Sequence, residues 1–528
     1  MTIREILKEE IGIAVKKLFG KEASFNLARD ERFADYATNV ALVTRVGNPR
    51  ETAEKLIADL KLSPRWQELV TKTEIAGPGF INIWLTEKAW ELGIENIGMK
   101  PKRRKEKIQL EFISANPTGK LHVGHARGAF YGDVLARVLL ATGHNLTREF
   151  YVNDSKESTQ IKELGKTALG EGTSYLTDYL KGKIKKYSAR LKKMKSRKDD
   201  AKFNLYGEAG HLLSLEIQKD NQRFIERDLG VKFDRWFSEE QNLRSKGIFE
   251  KTLAMLTERG MVYERDGAQW LKTSEYDDDE DRVVVRSDGA YSYFLADIAY
   301  HNNKFARKFA RVIDIWGADH QGHVKRMMAV KKMLEITSDL DILISQLVTI
   351  KEGEQRRKLS KRQGTIIYLE DLVRVAGIDA VRWFYIEKSL DTHMEFDIEM
   401  ARKRTPDNPV YYAQYAHARM ASILKKAGKK TKVKKINIAK MADPAEHALI
   451  KKLTQFSEVL EDVVADHGVH HLTTYAYELA RQFSAFYRDA RVLGAGKDEA
   501  PRLALVALTK DALARTLGLL GISTPNKM

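Results

Sequence analysis

Apolar residues in the first twenty positions, MTIREILKEEIGIAVKKLFG, recur every three to four residues among mixed charges, which predicts an amphipathic helix. The pattern turns strand-like at GPGFINI, residues 77–83. From residue 108 to about residue 385, short alternating or wholly apolar runs are separated by helix-period stretches. That is the texture of a parallel α/β sheet. Residues 108–113, IQLEFI, predict a strand. A Gly- and Pro-containing loop, SANPTGKL, follows, and then a helix that opens at His122 and runs to about Thr142, where Gly143 is a natural stop. TREFYV, residues 147–152, predicts the next strand and completes a βαβ unit with a right-handed crossover. VIDIW at 312–316 and QLVTI at 346–350 read as further strands, and helical periods dominate the C-terminal part. The expected fold is α/β: a Rossmann-type parallel-sheet domain over 101–390 with a segment inserted at about 157–232, an α+β N-terminal domain over 1–100 and an all-α C-terminal domain over 391–528. The basic stretch PKRRKEK, residues 101–107, reads as a linker.

The chain has 528 residues, enough for roughly three or four domains. With 43% hydrophobic and 31% charged residues it can bury sizeable cores, which excludes global disorder. It contains no cysteine, so disulfides, thiolate-bound zinc, iron–sulfur clusters and thiol nucleophiles are excluded, and a reducing compartment suits it. No apolar run approaches the ~20 residues that span a bilayer, and the start lacks the apolar core of a signal peptide. The expectation is a cytoplasmic protein without a membrane partner. A formal charge of +17 favours a polyanionic partner such as nucleic acid. Two lysine-rich runs, 181–202 and 425–435, read as solvated faces, the second as a loop.

The candidate chemistry starts at the first βα turn. His122, Gly124 and His125 (HVGH) open a helix at the carboxyl end of a parallel strand, where unpaired N–H groups and the positive dipole end attract phosphate. Two imidazoles there can donate to phosphate oxygens as charge builds, and Gly124 lets a ligand approach the backbone. A second cationic motif, KLSK (Lys358, Ser360, Lys361), sits in the polar loop KEGEQRRKLSKRQG at 351–364. Its ammonium groups could close over a triphosphate and neutralise the leaving pyrophosphate. A third element is the turn after the strand at 312–316, carrying Gly317 and Asp319. Three decoys are set aside. Gly165-Lys166-Thr167 lacks the first glycine of a P-loop, since position 160 is Gln. His467, His470 and His471 beside Asp466 have no recognised metal spacing and read as a helix-end surface feature, so no metal site is expected. The acidic run at 277–281 reads as a solvated turn.

HVGH, the G-x-D turn and KLSK in this order resemble the signatures of class I aminoacyl-tRNA synthetases. The stretch EFISANPTGKLHVGHARG at 111–128, with YVND at 151–154, FDRWFSE at 233–239, SDGAYSYFLADIAYH at 287–301, DNPVYYAQYAHAR at 407–419 and DALAR at 511–515, is similar to the arginyl-tRNA synthetase family over nearly the whole chain. The resemblance implies a ligase that joins L-arginine to tRNA(Arg) through an arginyl-adenylate, using ATP and Mg2+. It implies that His122, His125, Lys358 and Lys361 are catalytic, and that Gly124, Gly317, Asp319 and Ser360 join them around ATP. Ser114 and Asn116 would hold arginine, with Glu111 and Gln321 at its α-amino and carboxylate ends. Glu239, Tyr293 and Asp297 would take the guanidinium, a planar cation best read by fixed carboxylates. Tyr293 and Asp297, four apart, would share one helix face. The N-terminal domain would contact the tRNA elbow through Phe80 and Asn82. The C-terminal domain would meet the anticodon through Tyr411, Tyr415, Arg419, Phe486, Tyr487 and Arg491. The chain departs from the family pattern where KLSK is followed by Arg362 in place of a final serine, which leaves the division of work between Lys358 and Lys361 open. The alternatives are another class I synthetase of lysyl or glutamyl type, or an inactive tRNA-binding homologue. A monomer is expected.

Overall fold

The computed structural model describes residues 1–30, 33–97, 104–353, 355–358, 367–428, 438, 441 and 443–528. The first helix, Ile3–Phe19, begins because Thr2 and Glu5 form a reciprocal capping box, and it ends at Gly20, which adopts a φ of 64°. It buries Ile3, Leu7, Ile11 and Val15 and packs on helices Pro49–Leu60 and Glu87–Asn96, beside a four-stranded antiparallel sheet, β1 (Leu27–Asp30), β2 (Ala34–Thr38), β3 (Val70–Ala76) and β4 (Phe80–Leu85), ordered β1-β2-β4-β3. The stretch GPGFINI forms the β3–β4 turn and the start of β4, and Gly77 supplies a φ of 51° there.

The central sheet is wholly parallel. Its strands are β5 (Lys107–Glu111), β6 (Asn145–Val152), β7 (Arg235–Ser238), β11 (Arg311–Gly317) and β12 (Asp339–Ser345), in the order β12-β11-β5-β6-β7. A small antiparallel sheet, β8 (Val262–Arg265), β9 (Ala268–Leu271) and β10 (Arg282–Val285), stands between β7 and β11 in sequence. A three-stranded sheet follows, built from β13 (Val348–Glu352), β14 (Gln355–Lys358) and β15 (Met394–Asp397). Strand β15 lies in the part of the chain where the pattern predicted helices alone.

Chain order places β5 centrally, with β6 on one side and β11 on the other, so ligand space opens at the carboxyl ends of these strands. Helix Val123–Ala141 crosses from β5 to β6 and lies against β5. A Cβ on Gly132 would stand 2.3 Å from the Phe112 ring, so only glycine allows that close approach. The inserted segment is a helical unit, Thr159–Ala168, Asp178–Lys186, Ser188–Lys195 and Leu205–Arg223, around its own core of Leu164, Leu180, Leu191 and Leu213. Gly165 belongs to a helix crossing: a Cβ there would meet the Tyr206 carbonyl oxygen at 1.9 Å, and one on Gly210 would meet that of Ile161 at 1.8 Å.

The C-terminal helices, among them Pro409–Ala427, His470–Asp489 and Glu499–Leu520, pack on one another and on the central domain. Buried Arg382 fastens the joint by reaching Asp133, the Leu229 carbonyl at 2.8 Å and the Leu520 carbonyl at 3.0 Å. Arg29, at 2.7 Å, and Tyr36 both bond to buried Glu458, tying the N-terminal sheet to the helical domain. The acidic run 277–281 is more than a solvated turn: Asp278 is buried against Arg282 at 2.9 Å, and Asp281 accepts from Ser274 and Tyr263. His467 is also not at the surface. It is 8% exposed, its Nε2 lying 3.8 Å from Asp341 of β12, because the helix end is pressed against the sheet edge. Among the described residues no group of His, Asp and Glu side chains could hold a metal ion, and no helix is long and apolar enough to cross a membrane.

Candidate active site

Strand β5 ends at Glu111, and the chain then turns sharply, with Ile113 at φ 68° and Ser114 at φ 39°. For a β-branched residue such a φ is a strained backbone conformation. The turn points Ser114 at two neighbours. Its hydroxyl donates to Glu111 Oε1 at 2.7 Å and accepts from the Tyr151 amide at 3.0 Å.

His122 is the N-cap of helix Val123–Ala141. Its Nδ1 accepts from the Gly124 amide at 3.1 Å, and His125 Nδ1 accepts from the His122 amide at 3.2 Å. Because Nδ1 is an acceptor in both rings, each neutral imidazole carries its proton on Nε2, the tautomer that donates outward. The rings stack at 3.7 Å between centroids.

The chain beyond the second cationic motif returns to the histidine loop. Lys358 is the last residue of β14, while Ser360 and Lys361 lie outside the described residues. Description resumes at Ile367, whose carbonyl accepts from the Val123 amide at 3.1 Å, and the Leu369 amide donates to Leu121 at 3.0 Å. Residues 367–369 are thus stitched to the histidine loop, with Tyr368 bridging to His122. Lys120 adds an ion pair to Glu370 at 2.5 Å.

The acidic cup lies at the ends of β6, β7 and helix Tyr293–Ala306. Glu239, the residue after β7, is 4% exposed. Burial pushes its carboxyl up, opposed by Arg244 and by the hydrogen bond from the Tyr151 hydroxyl. Tyr151 has its own ionisation pushed well up by burial and then by Glu239, Asp297 and Glu111, which places its hydroxyl among all three carboxylates. Tyr293 opens the helix at 47% exposed, and Asp297, one turn on, has its side chain 39% exposed with His323 Nδ1 3.9 Å away. Asn116 and Gln321 are exposed at the rim, and Gly317 and Asp319 form the turn that ends β11.

Glu111 sits at the base of the turn and is heavily engaged. It is 5% exposed, Oε1 is taken by Ser114, and Oε2 accepts from Lys304 Nζ at 2.5 Å. A carboxylate so engaged also holds Ser114 in place. Lys304 is fully buried and also bonds Asp314 at 2.7 Å; Asp314 pairs with His301 at 2.9 Å, and His301 Nδ1 bonds the Asp297 carbonyl at 2.8 Å. A continuous buried chain therefore links the base of the cup to the strained loop. Burial pushes the Glu111 carboxyl up, and Asp314 adds to this against Lys304. For Asp314 burial acts upward too, but Lys304 and His301 outweigh it and hold the group down. Tyr151 and His301 lie inside the family-like segments at 151–154 and 287–301, while Lys304, Arg244 and His323 carry no local sequence signal. They matter because distant strands converge on them.

On the N-terminal sheet, Phe80 (41% exposed) and Asn82 (9%) line a cavity of about 400 Å³ with Asn39, Arg29 and Phe33. On the helical domain Tyr411 and Tyr415 stack at 6.2 Å, and the Arg419 guanidinium lies 4.5 Å from the centre of the Tyr487 ring. Arg491 is exposed, its Nε donating to the Leu493 carbonyl. Phe486 does not belong with them. It is fully buried, because its helix turns that position into the core, while Tyr487 is half-buried and stacks on Phe483.

A parallel sheet whose central βα turn carries paired histidines at a helix start is the catalytic architecture of class I tRNA synthetases, and the comparisons agree. The profile described as "tRNA synthetases class I (R), catalytic domain" matches residues 92–164 and 177–383. "Arginyl tRNA synthetase N terminal domain" matches 1–85, and "DALR anticodon binding domain" matches 413–528. Arginine–tRNA ligase of Citrifermentans bemidjiense is 39% identical, covering 94% of this chain and 93% of that protein. Arginine–tRNA ligase 1 of Halalkalibacterium halodurans is 37% identical, covering 100% and 99%. The arginyl-tRNA synthetase structure from Thermus thermophilus superposes with a TM-score of 0.80 at 22% identity, over 99% of this chain and 100% of that one. The chain belongs to the arginyl-tRNA synthetase family.

Proposed function

We propose that this chain performs its arginine–tRNA ligase chemistry with the residues gathered above. The arginine carboxylate attacks the α-phosphorus of ATP, forming a C–O–P bond as the bond to pyrophosphate breaks. His122 and His125 donate from Nε2 to the phosphate oxygens, and Lys358 and Lys361 neutralise the departing pyrophosphate, whose phosphates carry Mg2+. A ribose hydroxyl of the terminal tRNA adenosine, the 2′-hydroxyl by class I resemblance, then attacks the adenylate carbonyl and releases AMP. Glu239, Asp297 and Tyr293 receive the guanidinium, Ser114, Asn116 and Gln321 address the other end of arginine, and Gly124, Gly317, Asp319 and Ser360 surround the nucleotide. Phe80 and Asn82 meet the tRNA elbow. Tyr411, Tyr415, Arg419, Tyr487 and Arg491 present rings and cations to unstacked anticodon bases.

The observation that supports this reading is the hydrogen bonding of Ile367 and Leu369 to the histidine loop, a few residues beyond the KLSK motif in the chain. The test is amino-acid-dependent ATP–pyrophosphate exchange with a panel of amino acids, with and without tRNA(Arg). Arginine alone is expected to support exchange, and only with tRNA present. Exchange driven by lysine or glutamate would overturn the assignment of the cup.

A further inference from the structure

The carboxylate Glu239 already faces a guanidinium of this chain. Arg244 stands in the short 3-10 turn Arg244–Lys246 that follows helix Glu239–Asn242. Its guanidinium lies over the Phe249 ring at 3.8 Å, its side chain is 18% exposed, and Nε approaches Glu239 Oε1 at 3.4 Å. Phe249 is fully buried and stacks at 5.9 Å on Tyr291, so the seat of that guanidinium is rigid. The approach through Nε uses one edge of a five-donor group and a single oxygen of Glu239. The other partner of Glu239 is the Tyr151 hydroxyl.

We propose that Arg244 is a positioning residue for arginine recognition: a resident guanidinium, clamped on Phe249, that fixes Glu239 to receive the guanidinium of the substrate. This rests on the assignment of Glu239 to the cup. The physical need is plain. Glu239 is almost wholly enclosed beside Phe237 and Phe249, and a carboxyl in such surroundings takes up a proton unless a cation opposes it. The groups facing it are Arg244 from the following turn, Tyr151 from β6 and Asp154 from the loop after β6, with Asp297 across the Tyr151 hydroxyl. Asp154 is engaged by Ser238 Oγ at 2.7 Å and the Glu240 amide at 3.0 Å. Arg244 is the only cation in this set. Without it Asp154 and burial both push Glu239 toward its neutral form, which attracts a cationic substrate far less.

The test is arginine affinity by calorimetry on the full chain with tRNA present, from pH 6 to 8.5. The wild type is expected to give a flat profile. Arg244→Met is expected to bind about tenfold more weakly at pH 6.5, one pKa unit of linkage, and to return to within about twofold at pH 8.5 as Glu239 ionises. Arg244→Lys, which keeps the charge, should stay flat, and Arg244→Gln should behave as Arg244→Met if that variant fails to fold. Glu239→Gln should be weak at every pH. A flat Arg244→Met or Arg244→Gln profile, or a pH-dependent Arg244→Lys one, overturns the role of Arg244 while Glu239→Gln still reports on the cup. Wild-type affinity in Glu239→Gln removes Glu239 from the cup and the inference with it.

Discussion

Lys304→Met removes one cation from between two buried carboxylates. The ammonium is fully enclosed, 2.5 Å from Glu111 and 2.7 Å from Asp314, which face each other across the paired strands β5 and β11. Breaking a buried pair by deleting one partner costs about 3–5 kcal/mol, against ~1 kcal/mol or less for an exposed pair. The methionine fills the space, so the loss is electrostatic and must depend on pH. Both carboxyls rise in the variant. A group whose folded pKa lies above its unfolded value favours the fold at low pH and loses that contribution as pH rises through the folded pKa. In the wild type Asp314 is held low, so its contribution is present at neutral pH and fades toward acid. Both trends make the deficit largest near pH 8 and smaller near pH 5. Hydrogen exchange of the β5 and β11 amides measures it locally, which suits a chain of several domains. The double variant Lys304→Met with Asp314→Leu should regain part of the protection, since exchanging a buried pair for apolar groups is often neutral. A loss below about 1 kcal/mol, or one that grows toward acid, would refute the account.

Four further outcomes are expected. Asp297→Asn should raise the KM for arginine about tenfold or more, because a charged hydrogen bond of ~1.5–3 kcal/mol is lost; an unchanged KM would take Asp297 out of the cup. Lys361→Ala should slow pyrophosphate exchange by about a hundredfold, in line with loss of one transition-state charge contact, while tRNA affinity stays level. Phe80→Ala should weaken tRNA binding by about 1–3 kcal/mol, the value of one stacked base, with the arginine KM unaffected; equal tRNA binding would leave the N-terminal cavity without that role. Gly165→Ala should loosen the inserted helical unit by about 1–3 kcal/mol through the clash with the Tyr206 carbonyl, read as faster proteolysis within residues 159–223.

The first βα turn was readable because everything that defines it is local: alternation in β5, a Gly/Pro loop, histidines at a helix start and a glycine stop. That Tyr293 and Asp297 share one helix followed from their spacing, while their role was only implied by the family resemblance. The separation of Phe486 from Tyr487 did not, because an aromatic pair on a helix puts one ring inward, and only packing decides which. Lys304 and Arg244 looked like two more basic residues among 90. Their meaning comes from carboxylates brought by other strands. His467 reads as surface in a polar, helix-ending sequence, and is buried because β12 of another domain covers it.

The strained turn at Ile113 and Ser114 sets a limit on anyone who would harden this enzyme against heat. Glycine at 113 would relax the φ of 68° and is the sort of change a thermal screen rewards. Yet that turn aims the serine, and the serine spans the acid beneath it and the tyrosine amide beside it. Variants that gain degrees there should surrender turnover, so selection for endurance and selection for speed will pull this one corner of the backbone in opposite directions.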